Sequence, residues 1–159
     1  MMVQFRPVLP FLSLVFVTLI PVARLGAAEQ PSSDAEARVC TPQPEKFLAE
    51  KIVVWQHRLK LADWKISIVM SHPSDLKPQT LGNIHWDADK KTAVIRVLSA
   101  SDYDLSCSAA LEDMEFTVVH ELIHLEISSL PHSEASRREE EHAVNRITEA
   151  LLNLDRLRE

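Results

Sequence analysis

The sequence predicts an α+β domain, and three observations carry that expectation. Apolar residues recur at helical spacing between Glu45 and Leu61, short β-rich runs follow between Trp64 and Leu98, and helical spacing returns after Ala109. With 159 residues, of which 46% are hydrophobic and 25% charged, the chain has the composition of one globular domain and room for a single core.

The first segment stands apart from that domain. Arg6 precedes an apolar run from Val8 to Ile20, and Gly26-Ala27-Ala28 follows, the order of charge, apolar core and small residues found in an export signal. Residues 1–28 are therefore expected to be a signal peptide, and the protein to be exported, periplasmic or extracellular. The run is short for a bilayer span, which takes about 20 residues, but continuing it to Leu25 would give an uncleaved anchor, the one case in which the chain would touch a membrane. Residues 29–44 contain Pro31, Pro42 and Pro44 among small polar residues, without apolar periodicity, and read as a flexible linker. The folded domain is expected over residues 45–159.

Within it, Phe47, Leu48, Ile52, Trp55 and Leu59 define one face of a first amphipathic helix, with Lys46, Glu50, Lys51 and Arg58 left in water. Trp64, Ile66 and Ile68 alternate in a strand that Pro73 terminates. Leu81 to Trp86 and Thr92 to Leu98 flank the polar link Asp87-Ala88-Asp89-Lys90-Lys91, which predicts a hairpin. The expected sheet thus has about three strands, mostly antiparallel. Ala109 to Ile127 has neither Gly nor Pro and is apolar on most faces, as a buried helix is, with Pro131 closing it. A last helix from about Ser133 carries an apolar stripe of Val144, Ile147, Leu151 and Leu154.

Charge narrows the function. Without residues 1–28, which hold Arg6 and Arg24, 15 basic residues face 23 acidic ones, and they form no cluster beyond the pairs Lys90-Lys91 and Arg137-Arg138. Such a domain lacks the basic footprint that phosphate backbones require, so nucleic acid is not an expected partner. Cys40 and Cys107 are the two cysteines; an exported chain meets an oxidising compartment, but sequence gives no distance between them, and pairing stays open.

The chemistry lies in His120-Glu121-Leu122-Ile123-His124. Positions i and i+4 sit one turn apart on one helix face, so His120 and His124 can direct their imidazoles at a single Zn2+ with Glu121 beside it. With 7 His and 14 Glu in this chain, about 0.03 such motifs arise by chance. Its apolar neighbours Val118, Val119, Leu122, Ile123 and Leu125 would otherwise bury two histidines that need polar partners. A catalytic zinc takes three protein ligands and a water whose pKa falls to about 7, and Glu121 would act as the general base on that water.

The third ligand has several candidates. Ile127 and Leu130 occupy the third and sixth positions after His124, which excludes a Gly-x-x-His continuation. A downstream glutamate is the common alternative, and Glu139, Glu140 and Glu141 open the last helix. At about 100° per residue, Glu140 points into the middle of the Val144, Ile147, Leu151 stripe, whereas Glu141 lies at its edge with Asn145 one turn on, able to orient a ligand. This favours Glu141 and leaves Glu140 open.

His120-Glu-Leu-Ile-His124 followed by Glu140-Glu141-His-Ala-Val-Asn145 resembles the gluzincin-type small metallopeptidases, including the ImmA/IrrE-type and phage-associated minimal proteins. The Glu141-x-x-x-Asn145 spacing is also similar to the Glu-x-x-x-Asp of thermolysin-like enzymes. The resemblance runs from about Trp55 to Leu154. It implies a zincin-like fold, zinc held by His120, His124 and Glu141, and hydrolysis of peptide bonds in a peptide or protein substrate. The alternative from the same ligands is a catalytically silent zinc-binding regulatory or interaction module, and without a metal the chain would be a helical interaction protein.

Other residues are weaker candidates. Tyr103, the one tyrosine, could donate to an oxyanion but has no spacing that ties it to the motif. His85 reads as an outward strand residue or a cleft wall, His132 and His142 as outsiders, and Trp55, Trp64 and Trp86 as core or cleft walls.

Overall fold

The computed structural model describes residue 40, residues 43–131, residue 133 and residues 135–158. The expected export segment, most of the expected linker, and His132 lie outside the described residues. The elements follow in the order α1 (Pro44–Arg58), β1 (Lys65–Ser71), β2 (Gly82–Asp87), β3 (Thr92–Leu98), α2 (Cys107–Glu126) and α3 (Arg137–Arg156), an α+β arrangement. No helix among the described residues is long and apolar enough to cross a membrane.

Helix α1 begins at Pro44, a residue expected in the linker. Proline suits the first helical position because its fixed φ is helical and its missing N–H would have had no partner there. Leu48, Ile52 and Trp55 form its buried face. The helix stops three residues before the expected Leu61. Lys60 takes the left-handed conformation (φ 60), and the N–H groups of Leu61 and Lys60 bond back to the carbonyls of Gln56 and His57. That pattern closes a helix end, with lysine standing where glycine is usual.

The sheet has the order β1-β3-β2, with β2 antiparallel to β3 and β1 parallel to it. The expectation of a mostly antiparallel sheet is therefore corrected to a mixed one. The hairpin forms as expected, but residues 72–81 carry the chain past the end of the sheet, so that β3 inserts between its predecessors. The physical reason lies in β3: Ala93, Ile95, Val97 and Leu98 are all buried, and the most apolar strand takes the centre, where both its edges are paired. β2, with Gly82, His85 and Asp87, takes an edge.

Helix α2 is capped by Ser106, whose hydroxyl accepts from the Ala109 N–H. It packs against α1, α3 and the sheet, which is why Leu111, Met114, Val118, Val119, Leu122 and Leu125 are buried around its circumference. It ends at Glu126, and a turn through Leu130 precedes Pro131. Glu115, buried in this packing, accepts from Trp55 Nε1 at 2.9 Å and pairs with Lys51 at 3.0 Å, which satisfies the charge while tying α1 to α2. Cys40 and Cys107 form a disulfide, with Cα atoms 5.1 Å apart, and fasten the segment before α1 to the start of α2.

Helix α3 starts at Arg137 rather than near Ser133, because Ser133 and Ser136 close a hydrogen-bonded turn ahead of it. Its buried residues are Val144, Thr148 and Leu152. Ile147 and Leu154 of the expected stripe are 47% and 58% exposed, and Leu151 is half-buried. The inward face is therefore turned by roughly 80° from the apolar stripe, at 3.6 residues per turn. Thr148 can lie inside because its hydroxyl donates to the Val144 carbonyl at 2.9 Å.

Candidate metal centre

The rotation of α3 decides the geometry of the centre, because it brings Glu141 and Asn145 round to face α2. His120 and His124 project from α2 one turn apart, with 15% and 14% of their side chains exposed. His120 Nδ1 lies 3.0 Å from Asn145 Oδ1, an atom that can only accept, so Nδ1 carries the proton and donates it. His124 Nδ1 likewise faces Glu140 Oε1 at 3.3 Å. With Nδ1 as the donor on each ring, Nε2 is the nitrogen able to bind a metal.

The two Nε2 atoms stand 3.0 Å apart. Glu141 Oε2 lies 3.4 Å from the first and 3.5 Å from the second. Three atoms that can bind a metal thus converge on one point, where either a shared proton or a cation satisfies them. A tetrahedral zinc with bonds of 2.0–2.1 Å holds its ligand atoms about 3.3 Å apart, close to the 3.0, 3.4 and 3.5 Å edges of this triangle. Among the described residues, His120, His124 and Glu141 form the group of three whose ligand atoms lie within 4.8 Å of one another. Burial first, and then His124, hold His120 below its ordinary pKa, which favours the neutral imidazole that binds metals. Glu140, the other acid considered, meets the ring nitrogen of His124 that does not join the triangle.

Glu121 is buried at 8% exposure beside these ligands and lines the same cleft. Burial, then the charge of Glu141, push its pKa from 4.5 up to about 7, while Lys77 opposes the rise. Gly82 lies beside Glu121 and makes room for Thr117 of α2 and the Arg96 carbonyl. A Cβ at that position would meet the Thr117 methyl and lie 2.7 Å from the Arg96 carbonyl oxygen and 3.7 Å from Glu121 Oε1. The signal for Gly82 was present in the sequence, since a glycine at a strand start marks a close approach.

The cleft encloses about 540 Å³, with Ile84 and Trp86 of β2 on one wall and the first turns of α3 on the other. Lys77, Thr80 and Arg137 also line it; nothing in their spacing announced this. Trp86, 44% exposed, is a cleft wall, whereas Trp55 and Trp64 are core. Tyr103 does not reach the site. Its hydroxyl is buried, and burial followed by the Asp113 carboxylate raises its pKa. His85 and His142 are exposed and lie outside the cleft. No protein-family model, curated protein or solved structure matches this chain.

Proposed function

We propose that this chain is an exported, zincin-like zinc peptidase, with His120, His124 and Glu141 holding the metal and Glu121 acting as general base. The observation that carries the reading is the convergence of two Nε2 atoms and the Glu141 carboxylate on one point. A zinc ion bound there would supply Lewis acidity, polarising a carbonyl and acidifying a water.

The remaining work falls to the chain. Asn145 and Glu140 hold the imidazoles in the tautomer that presents Nε2. Glu121, with a pKa of about 7, takes a proton from the attacking water and returns it to the leaving amine, the two transfers a group poised near neutrality can make. β2 is an edge strand, and an extended peptide can add to its open side with Ile84 and Trp86 facing the reacting centre. The Cys40–Cys107 bridge suits an oxidising compartment and so supports export.

Two measurements test the proposal. Elemental analysis after exposure to zinc is expected to give one ion per chain, and a trace far below that removes every metal-based reading. The wild type and Glu121→Gln are then compared on a peptide library. Products from the first and none from the second are expected; equal products from both would exclude Glu121 as the base, and none from either would leave a silent zinc-binding module.

A further inference from the structure

We propose that the cleft selects a carboxylate on its substrate, with Lys77 as the recognition residue and Arg137 adding to the positive charge of the lining. The carboxylate is either an acidic side chain near the scissile bond or the C-terminal group of the peptide itself. The proposal deepens the peptidase reading and rests on it for the substrate being a peptide.

The protein is acidic, with 23 acidic residues against 17 basic ones, yet two cations line the cleft that holds the metal triangle. Three carboxylates share that cleft: Glu121, Glu140 and Glu141. Glu140 and Glu141 are turned to the imidazoles. Once a divalent cation is bound, two protein cations and the ion outweigh the three carboxylates, and the cleft becomes a positive pocket on a negative molecule. Such a pocket concentrates anions.

Lys77 is placed by its backbone. Leu76 beside it is buried, and the Lys77 carbonyl accepts from both the N–H and the hydroxyl of Thr80, at 3.1 and 2.8 Å. Gln79 completes this turn in the left-handed conformation (φ 65), a strained position for a residue with a side chain. Lys77 and Glu121 line the same cleft. Arg137 stands on the opposite wall, on the same face of α3 as Glu141 one turn on.

Binding is measured on zinc-loaded full-length protein carrying Glu121→Gln, by the fluorescence of Trp86, with Trp86→Phe as the control for the buried tryptophans. The probes are oligoalanine peptides: one capped at both ends with a central glutamate, one capped with a central glutamine, and one N-capped with a free C-terminal carboxylate. At low salt, at least one carboxylate probe is expected to bind about 3- to 10-fold tighter than the glutamine probe. The gain is expected to shrink as ionic strength approaches 1 M, to fall below about twofold in Lys77→Gln, and to reverse in Lys77→Glu. Which carboxylate probe gains tells side chain from terminus. Equal binding of all three probes, or a preference that both Lys77 variants retain, overturns the proposal. The two readings fail separately: preference without cleavage by the unsubstituted protein removes the peptidase reading alone, and cleavage without preference removes the carboxylate proposal alone.

Discussion

Glu121 ties the chemistry of the cleft to the stability of the fold in a way that can be measured without substrate. Its carboxyl has an ordinary pKa of 4.5 and a folded-state value of about 7, raised by burial and then by Glu141. The folded protein therefore binds this proton more tightly than the unfolded chain, so the contribution of Glu121 to stability is fully present below about pH 4.5 and lost as pH rises through about 7. At about 1.4 kcal/mol per pKa unit, the metal-free protein above pH 7 carries about 3 kcal/mol of destabilisation from this one ionised group. Glu121→Gln keeps the shape of the neutral acid and cannot ionise. In metal-free protein with the disulfide intact, the variant is expected to exceed the wild type by about 3 kcal/mol at pH 8 and by less than about 1 kcal/mol at pH 5, from urea unfolding followed by circular dichroism. His120, depressed by burial and His124, gives the opposite slope: its contribution is lost at low pH and recovers as pH rises toward its ordinary value of 6.5. That slope is common to both proteins and cancels in the difference. A gap between them that is the same at pH 5 and pH 8 would refute the assignment of Glu121 as a buried, proton-poised acid.

Three further outcomes follow from the packing around the centre. Gly82→Ala places a methyl against Thr117 and the Arg96 carbonyl and is expected to cost about 1–3 kcal/mol in urea unfolding, part of it recovered by Thr117→Ser, which removes the facing methyl. Asn145→Ala removes the acceptor that orients His120 and is expected to weaken zinc binding about 10- to 100-fold in a competition titration against a chelator, with the fold intact by circular dichroism. Reducing the Cys40–Cys107 bridge, which spans 67 positions, is expected to lower stability by about 2–4 kcal/mol, read as a shift of the urea midpoint with and without reductant.

The composition and periodicity of the chain determined its class, its three long helices and its hairpin, because these depend on local spacing of apolar residues and on what proline, serine and short polar links do to a backbone. The motif from His120 to His124 was legible for the same reason: residues one helical turn apart share a face wherever the helix lies. Long-range partners were beyond that logic. The stripe of Val144, Ile147, Leu151 and Leu154 is the most apolar face of α3, yet the helix turns Ile147 and Leu154 outward and packs through Val144, Thr148 and Leu152. An apolar moment states which face prefers burial, whereas the position of α2 states which face can be buried, and here the face turned to α2 brings Glu141 and Asn145 to the imidazoles. The parallel pairing of β1 with β3, the pairing of Cys40 with Cys107 and the arrival of Lys77 at the cleft likewise depend on where distant segments stop in space. Sequence alone determined that His120 and His124 could share an ion; the tertiary structure decided which carboxylate stands with them, since that depends on the rotation of one helix against another.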